Sequence, residues 1–480
     1  MTLIFMLPAK STIIKITLLS ALLLLTGFGC KPRADIGEVE NIELSYWQVW
    51  HNSYELQPLI DEYQKLYPNV KIYFKNLRFE EYEAEMLKAL AEDKGPDIFS
   101  IPHNWIGLYE NIIAPQPESA TVEKVVIRPP GPGDLKPTIA GIESENAIFL
   151  KPRDIKRNYY PFVKDDVLRE EEPNADDQST QKIKVSQDEQ IMALPLYVDV
   201  LALYYNKDIL EKNEIFDVPQ TWERFQQDVI KIAKVDAENK ILQAAAALGA
   251  TGNIIRPTDI LTALMLQTGV DMIDQENNYA AFHKTVRLED KYNAGLEALR
   301  FFTDFSDTTK KVYTWNESQE QALETFKQGR LAYLFGYSYN LAEIKNSKVN
   351  FGAAPLPLPK GAVSNITVAN YWVETVSKKS AHQDWAWHFL NWLSQPQNLL
   401  KLQNSTGKIS PLKSQMAEIK DSELSVFAAQ APYAQVWYHG RRAPDAEQAL
   451  IEMINSAVSG KRSLEDALSY GAQQVTETLR

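Results

Sequence analysis

The amino-acid sequence predicts an α/β protein with two or three domains. Strand-like and helix-like segments alternate from Ile42 to Ile101, which is typical of an α/β layer. The chain has 480 residues, enough for more than one domain and for a sizeable core. Its residues are 45% hydrophobic and 24% charged, as in ordinary globular proteins, so wholesale disorder is excluded.

The first five elements follow from the spacing of apolar residues. Ile42 to Val49 alternates apolar and polar residues as a strand does, whereas apolar residues between Leu56 and Leu66 recur at helical spacing. In chain order, the predicted elements are a strand over 42–49, a helix over 56–66, a strand over 70–74, a helix over 79–92 and a strand over 97–101. This order predicts mostly parallel pairing among these strands.

The second half of the chain continues the mixture of strands and helices. Thr221 can cap a helix that runs to Ala233, and Ser380 to Gln383 has capping-box spacing before another helix. Trp385, Phe389 and Trp392 then recur at helical spacing, which indicates a core face. The other predicted elements are strands over 200–205, 331–335, 349–354 and 366–376, helices over 244–248 and 258–268, and a helical segment from residue 421.

Residues 116–190 interrupt this regular pattern and are interpreted as an insertion. Pro129-Pro130-Gly131-Pro132-Gly133 is a strong breaker of regular structure, and the segments 122–128 and 146–150 are possible extra strands. The acidic residues between 170 and 177 are interpreted as a solvated surface, with a cation or partner site as the alternative. The sequence assigns the insertion no role.

The charge and cysteine content exclude several kinds of site. Lys plus Arg number 50 and Asp plus Glu number 63, which gives a net charge of −13. This balance argues against a nucleic-acid partner, because such proteins bind phosphates through clustered Lys and Arg. Cys30 is the only cysteine, so disulfides within the chain and a cysteine-based zinc site are excluded.

The N-terminal thirty residues have the order of a secretory signal. Lys10 and Lys15 precede an apolar run from Ile16 to Leu25, and small residues lead to Cys30. The ending resembles the lipobox of bacterial lipoproteins, although Gly27 stands where that motif prefers Leu. We expect a signal peptide over 1–29, lipidation of Cys30, a tether over 30–41 and an extracytoplasmic protein anchored to the cell membrane. The alternative is an uncleaved helix with a chance cysteine.

No catalytic or metal-binding motif is present in the sequence. The six histidines form no His-Glu-x-x-His pair, and both the phosphate-binding loop and the dinucleotide-binding glycine motif are missing. Paired carboxylates remain possible, because a sequence does not give their separation. We therefore expect a protein that is not an enzyme and that needs neither a metal nor a cofactor.

Aromatic and polar residues cluster just beyond the predicted strands. Such positions line ligand sites in open α/β sheets, and aromatic faces beside amides and carboxylates suit sugar rings. The clusters are Tyr46 to Asn52, His103-Asn104-Trp105, Tyr337-Ser338-Tyr339-Asn340, Asn370-Tyr371-Trp372 and Val436 to Arg441. Core packing is the alternative for each aromatic residue alone, whereas the five clusters together favour a ligand cleft.

Several motifs resemble those of the extracellular solute-binding proteins of ABC importers. The similarity is to the large carbohydrate-binding family that includes maltose-binding protein. The matching motifs include Gly95-Pro96-Asp97-Ile98-Phe99, Ala193-Leu194-Pro195, Tyr205-Asn206-Lys207-Asp208, Pro219-Gln220-Thr221-Trp222 and Thr406-Gly407. The resemblance covers most of the chain from Ile42 onward, but the span from Trp105 to Leu194 is longer than in the family.

The resemblance implies a two-lobed periplasmic-binding-protein fold of type II with crossing hinge strands and a C-terminal helical segment. Lobe one is expected to comprise 42–195 plus 372–411, and lobe two 202–365 plus 412–480. The hinges are expected near 196–201 and 366–371. The implied function is capture of a sugar or oligosaccharide by hinge closure and its delivery to the transmembrane subunits of an ABC permease. We expect a monomer.

The candidate ligand-binding residues come from the aromatic clusters and from the family resemblance. They are Trp47, Trp50, His51, His103, Asn104, Trp105, Tyr337, Tyr339, Trp372, Trp437 and Arg441. Replacement of Tyr337, a member of the expected aromatic platform of lobe two, is expected to weaken sugar binding and leave folding largely intact. Two other functions remain open: a surface adhesin or sensor subunit that uses the insertion, and an extracytoplasmic glycosidase.

Overall fold

The computed structural model describes residues 40–129, 138–170, 189–284, 292–362 and 365–479. The expected signal peptide, Cys30 and most of the expected tether lie outside these residues, as does most of the acidic run that begins at Glu170. In the described part of the chain, no helix is long and apolar enough to cross a membrane.

The described residues form strands and helices that alternate along most of the chain. The strands are β1 (Ile42–Gln48), β2 (Val70–Asn76), β3 (Ile98–Pro102), β4 (Ile113–Ala114), β5 (Ser119–Arg128), β6 (Thr138–Ile148), β7 (Leu168–Glu170), β8 (Glu189–Ile191), β9 (Ala202–Asn206), β10 (Lys234–Val235), β11 (Ile241–Ala246), β12 (Ile273–Asp274), β13 (Tyr279–Ala280), β14 (Leu331–Gly336), β15 (Phe351–Ala354), β16 (Thr367–Val368), β17 (Trp372–Ser377) and β18 (Ala434–Gln435). The helices are α1 (Ser53–Leu66), α2 (Phe79–Ala91), α3 (Ile106–Tyr109), α4 (Pro152–Asn158), α5 (Pro161–Val167), α6 (Lys207–Lys212), α7 (Trp222–Ile232), α8 (Pro257–Gln267), α9 (Ala294–Asp304), α10 (Ala322–Lys327), α11 (Leu341–Lys345), α12 (Gln383–Leu393), α13 (Pro396–Thr406), α14 (Ser422–Gln430), α15 (Ala443–Val458) and α16 (Leu464–Thr478).

The first lobe is built on a sheet with the strand order β2-β1-β3-β17-β4. β1 pairs in parallel with β2 and with β3, which confirms the parallel pairing predicted for the first three strands. β17 comes from a distant part of the chain and pairs antiparallel with β3, with Trp372 opposite Pro102. The ends of β1 and β3 and the start of β17 therefore meet at one edge of the sheet.

Helices α1 and α12 supply much of the core of the first lobe. Tyr63 on α1 lies with its ring centroid 4.8 Å from that of Phe389 on α12. Trp385, Phe389 and Trp392 are all buried, which confirms that this stripe is a core face. Burial of these aromatic side chains stabilises the lobe, because each removes a large apolar area from water.

The second lobe is built on a sheet with the strand order β10-β11-β14-β9-β15. β11 and β14 are parallel, whereas β14 and β9 are antiparallel, with Gly336 opposite Ala202. The end of β14 and the start of β9 therefore lie at the same edge of this sheet. The C-terminal helices α15 and α16 pack against each other and against α9.

The two lobes are joined by chain segments that cross between the sheets. Val200 forms an antiparallel bridge with Ala369, and the backbone N–H of Asn370 donates to the carbonyl oxygen of Asp199 at 3.0 Å. β16 also pairs in parallel with β18, so the C-terminal segment lies beside the two crossings. Two α/β lobes connected in this way give the two-lobed fold that the family resemblance implied.

Three local predictions differ from the structure. Residues 244–248 were expected to be helical, but 241–246 form β11, because this alanine-rich segment is buried between β10 and β14 and tertiary packing outweighs its helical propensity. The predicted capping box at Ser380 is wrong, because its hydroxyl donates to Asp97 Oδ1 at 2.6 Å and α12 starts later, after His382. The strand predicted over 366–376 is divided into β16 and β17.

The insertion contributes two hairpins and two short helices. β5 and β6 form a long antiparallel hairpin, and β7 and β8 form a short one. β5 confirms the strand predicted over 122–128, whereas β6 begins earlier than the strand predicted over 146–150 and ends at Ile148. Helices α4 and α5 lie between them, and each begins with proline at its first residue, where the missing N–H costs nothing. α5 packs near the end of β3 and near β18, so part of the insertion lies close to the crossing segments.

Candidate functional site

An aromatic contact joins the two lobes at the facing sheet edges. Trp50, just after β1, lies against Tyr339, just after β14, with ring centroids 5.4 Å apart and planes inclined by 36°. Trp372, at the start of β17, has its centroid 6.1 Å from that of Trp50. Phe79, at the start of α2, lies 6.4 Å from Trp50 and keeps 56% of its surface exposed. Trp50 thus contacts one tyrosine of the second lobe and two further rings of the first.

The main chain of Trp50 is held in place, but its indole N–H is unpaired. Lys408 Nζ donates to the carbonyl oxygen of Trp50 and lies 5.2 Å from the centroid of the Tyr197 ring. Burial lowers the pKa of Lys408, although the nearby carboxylate of Glu55 opposes this. The indole nitrogen of Trp50 is buried and has no hydrogen-bond partner among the described residues. An unpaired buried donor is costly in an interior, so it marks a place where a polar ligand group would be stabilised.

Tyr337 supports Tyr339 from behind. The two rings are stacked, with centroids 5.6 Å apart and planes within 9° of parallel. Tyr337 is fully buried, and its hydroxyl donates to Asp259 Oδ2 at 2.6 Å. Replacement of Tyr337 is therefore expected to affect folding, contrary to the expectation from the sequence. The exposed member of the stack is Tyr339, which keeps 36% of its surface accessible.

Asp259, in the first turn of α8, is the centre of a polar cluster between the lobes. Besides Tyr337, its carboxylate accepts from Arg256 Nε at 2.9 Å and from Asn370 Nδ2 at 3.2 Å. Burial raises the pKa of Asp259, but the charge of Arg256 and these hydrogen bonds outweigh burial and hold the pKa below its usual range. Arg256 also pairs with Glu447 at 2.8 Å. The cluster joins α8, the second crossing and α15.

The backbone of Arg256 has an unusual conformation. Its φ of 46° and ψ of 57° lie in the left-handed region, which costs energy for a residue with a side chain. Such strained residues are concentrated at ligand sites and catalytic sites. Arg256 precedes Pro257, and its guanidinium pairs with the carboxylates of Asp259 and Glu447.

Asp199, in the first crossing, fixes the turn that carries Tyr339. Its carboxylate accepts from the backbone N–H groups of Ser338 at 2.9 Å and of Tyr339 at 3.0 Å. Burial raises the pKa of Asp199 to about 7, although these backbone hydrogen bonds oppose the change. The first crossing thus determines where the aromatic platform of the second lobe lies.

A narrow crevice beside the aromatic contact is lined by residues of both lobes. Its cavity volume is about 20 Å³, and it brings together three of the candidate residues, His103, Asn104 and Trp437. Its other lining residues include Arg256, Thr258, Asp259, Asn370 and Glu447. The hydroxyl of Thr258 is buried without a hydrogen-bond partner in the described structure. The crevice therefore combines amide, hydroxyl and charged hydrogen-bonding groups next to aromatic rings.

Trp47 and His51 have contacts inside the first lobe. Lys75, opposite Trp47 in the β1–β2 pair, places its ammonium nitrogen 4.2 Å from the centroid of the indole ring. His51 is buried, with its Nδ1 atom 3.1 Å from Gln48 Oε1 and its ring edge-on to Tyr197. Burial, with a contribution from Lys408, lowers the pKa of His51 well below its usual range.

Trp105 and Arg441 connect the first lobe to the C-terminal segment. Trp105 packs edge-on against Tyr109, with a centroid distance of 5.9 Å, and joins a small cluster around the buried ring of Tyr438. Arg441 pairs with Glu110 of the first lobe at 3.3 Å. Of the candidate residues, the structure thus brings Trp50, Trp372, Tyr337 and Tyr339 into one cluster and His103, Asn104 and Trp437 into the adjoining crevice.

Several polar residues of the site were missed by sequence reasoning. These are Asp199, Arg256, Thr258, Asp259, Asn370, Lys408 and Glu447. Only Asn370 lay in one of the clusters noted from the sequence, and the others belong to segments that converge through the crossings and α8. In the described ranges, no three His, Cys, Asp or Glu side chains are grouped as a metal site requires.

Comparisons with known proteins agree with this architecture. Residues 58–425 match the family described as bacterial extracellular solute-binding proteins. Binding proteins of Brucella abortus are 23% identical over 252 residues, which is 50% of this chain but only 56% of theirs. The maltodextrin-binding protein of Bacillus subtilis is 21% identical over 304 residues, or 62% of this chain and 69% of that protein.

A solved structure extends the likeness to nearly the whole fold. The cyclic α-maltosyl-1,6-maltose binding protein of Arthrobacter globiformis superimposes with a TM-score of 0.63 and 18% identity, over 91% of this chain and 99% of that one. At this identity the likeness concerns the fold. Because the family match covers most of the chain, the protein belongs to the bacterial extracellular solute-binding protein family.

Proposed function

We propose that this protein is the extracytoplasmic receptor of an ABC importer and that it captures a sugar or oligosaccharide between its lobes. The observation that carries the proposal is the contact of Trp50 with Tyr339 across the lobes, next to an unpaired indole N–H. Aromatic faces stack on the C–H faces of sugar rings, while unpaired donors and acceptors bind hydroxyl groups. The related proteins of Bacillus subtilis and Arthrobacter globiformis are named as binding proteins for maltodextrin and for cyclic α-maltosyl-1,6-maltose, which supports this ligand class.

The polar groups of the site also favour a neutral, hydroxyl-rich ligand. Arg256 is already paired with two carboxylates, so it offers no free positive charge to an acidic solute. Asn370, Asn104 and the free hydroxyl of Thr258 offer neutral hydrogen-bonding groups at the crevice. Hydrogen bonds from such groups, some of them assisted by neighbouring charges, discriminate among hydroxyl arrangements.

Closure of the two lobes is the proposed mechanism of capture. The hinges would be the crossings near 196–201 and 366–371, with lobe one formed by 42–195 plus 372–411 and lobe two by 202–365 plus 412–480. A ligand favours closure only through its greater affinity for the closed state, which contacts from both lobes supply. Trp50 and Trp372 on one lobe and Tyr339 on the other are placed to make such contacts.

The proposal includes the location and the partners of the protein. Lipidation of Cys30, after removal of the signal peptide, would hold the receptor at the membrane near the permease that accepts the solute. The family's extracellular character supports an extracytoplasmic location. The receptor is proposed to act as a monomer without enzymatic activity.

A thermal-shift screen tests the proposal. Protein purified from membranes is mixed with mono- and oligosaccharides, amino acids, peptides and polyamines. A ligand at about 100 times its dissociation constant adds about 2.7 kcal/mol to the stability, enough for a visible rise in melting temperature. Tyr339→Ala should reduce the shift caused by a sugar, whereas Tyr54→Ala, which removes a 74% exposed tyrosine of α1, should not.

Each outcome of the screen has a distinct meaning. A shift confined to sugars, with the sugar recovered intact, supports a receptor, whereas consumption of the sugar would indicate a glycosidase. A shift with amino acids, peptides or polyamines instead would contradict the proposed ligand class. No shift across the panel would contradict the receptor function and favour an adhesin or sensor subunit.

A further inference from the structure

The insertion places one fully buried carboxylate beside the second crossing. Asp166, in the last turn of α5, has no exposed surface. Its Oδ2 atom lies 3.1 Å from His103 Nδ1, and its Oδ1 atom lies 3.2 Å from His439 Nδ1. The hydroxyl of Tyr371 also donates to Oδ2. One side chain of the insertion thus contacts the first lobe, the second crossing and the C-terminal segment.

Packing around Asp166 is dense and specific. The rings of His103 and Tyr371 are stacked, with centroids 4.6 Å apart and planes within 5° of parallel. Phe162, one turn earlier on α5, packs edge-on against Tyr371 with a centroid distance of 5.4 Å. Arg169 donates to the carbonyl oxygens of Asp166 and Leu168, both at 2.8 Å, and closes the end of the helix. These contacts fix the rings and the helix end that surround the carboxylate.

A carboxylate in this position needs its partners. A buried charge is costly unless it is paired, and removal of one member of a buried pair leaves the other uncompensated. Burial alone would raise the pKa of Asp166, but the contacts with His103 and His439 outweigh it and hold the pKa well below its usual range. The group therefore remains ionised at neutral pH and ties together the residues around it.

The partners of Asp166 are the neighbours of residues at the candidate ligand site. His103 itself lines the crevice and precedes Asn104, while His439 lies two residues after Trp437. Tyr371 follows Asn370, which donates to Asp259. A displacement of any of the three partners would move a residue of the crevice. The carboxylate is thus connected to the site through three separate segments.

From this geometry we propose that the insertion acts as a brace on the hinge and that Asp166 is its positioning residue. Asp166 holds the first lobe, the second crossing and the C-terminal segment in the arrangement that the ligand requires. The insertion thereby sets the distance between the lobes, both with and without solute. The effect of this distance on ligand binding rests on the proposed function, capture by closure of the lobes.

The test compares Asp166→Asn with the matched change Asp165→Asn. Asparagine is close in shape to aspartate but lacks the charge, and Asp165 is the exposed neighbour on the same helix. Spin labels on cysteines at Lys88 in α2 and Lys212 in α6, both exposed, report the distance between the lobes. The full chain carries Cys30→Ser, so that only the two introduced thiols react with the spin label.

We expect Asp165→Asn to keep the distance distribution of the parent protein and Asp166→Asn to shift or broaden it without any solute. For a sugar found in the screen, Asp166→Asn should lower the affinity by about 5- to 150-fold, the usual range of coupling between sites. The brace is refuted if the two variants give the same distribution and the same affinity.

A second variant covers the case in which Asp166→Asn does not fold. Tyr371→Phe removes only the hydroxyl that donates to Asp166 and keeps the ring stacked on His103. A shifted distance distribution in this variant supports the brace, and an unchanged one contradicts it. Because the distances are measured without solute, a protein that binds no sugar would overturn the proposed function but leave this result valid.

Discussion

Removal of the Tyr337 hydroxyl should destabilise the folded protein without opening a cavity of any size. The ring is fully buried, and the hydroxyl donates at 2.6 Å to the ionised carboxylate of Asp259. A hydrogen bond to a charged group contributes about 1.5–3 kcal/mol. The remaining donors to Asp259, from Arg256 and Asn370, cannot replace it because they already occupy their own positions. Tyr337→Phe should therefore lower the free energy of unfolding by about 1.5–3 kcal/mol.

Urea unfolding of the ligand-free protein measures this loss. Tyr339→Phe is the matched control, because the Tyr339 hydroxyl has no hydrogen-bond partner among the described residues. This variant should change stability by less than about 0.5 kcal/mol. Tyr337 and Tyr339 should also differ in their effect on ligand binding. Tyr339→Ala should reduce sugar affinity by about 1–3 kcal/mol, since it removes the exposed ring of the stack.

Three results would refute this division of roles. If Tyr337→Phe is as stable as the parent protein, the contact with Asp259 does not contribute to folding. If Tyr339→Ala binds sugar as tightly as the parent protein, the ring that faces Trp50 is not part of the ligand site. A loss of stability in Tyr339→Phe equal to that in Tyr337→Phe would show that the two hydroxyls are not distinguished by burial.

Two further predictions concern charge and anchoring. Burial raises the pKa of Glu374 from 4.5 to about 7, although Ser100, Tyr46 and Lys408 oppose the change, so the folded state binds a proton that the unfolded state releases between these values. Stability should therefore fall as pH rises through this window. Glu374→Gln should remove on the order of 3 kcal/mol of the difference in unfolding free energy between about pH 5 and about pH 8, as measured by urea unfolding. An equal difference in both proteins would contradict this. Cys30→Ser should release the protein from membranes in a fractionation experiment, and continued retention would show that the anchor is not a lipid on Cys30.

Much of the fold follows from local patterns that a sequence displays directly. Apolar residues at helical spacing predicted α1 and α2, and alternation predicted β1, because each element must bury one face. Thr221 was correctly identified as a helix cap, since its hydroxyl oxygen accepts from the backbone N–H of Arg224 at 3.2 Å. The alanine-rich strand β11 was missed, because small residues carry little periodic signal and only their burial between strands decides the structure.

The candidate site could be predicted only in part, because contacts between residues far apart in the chain decide which side chains face it. Aromatic residues beyond strand ends are visible in the sequence, and four of them, including Trp50 and Tyr339, do meet between the lobes. Which of the two tyrosines is exposed could not be predicted, because Tyr337 and Tyr339 both lie within three residues of the end of β14 and no local pattern separates them. Their difference comes from Asp259, which is 78 residues away from Tyr337 in the chain.

The sequence by itself determined most of the elements, the α/β class and the family likeness, because hydrophobic periodicity and short motifs are properties of neighbouring residues. The tertiary structure alone decided which charged groups meet. Asp166 of the insertion pairs with His103 and His439, and Asp259 pairs with Tyr337 and Asn370, across separations that no local pattern records. Buried charges are stable only beside partners, and the folding of the whole chain brings those partners together.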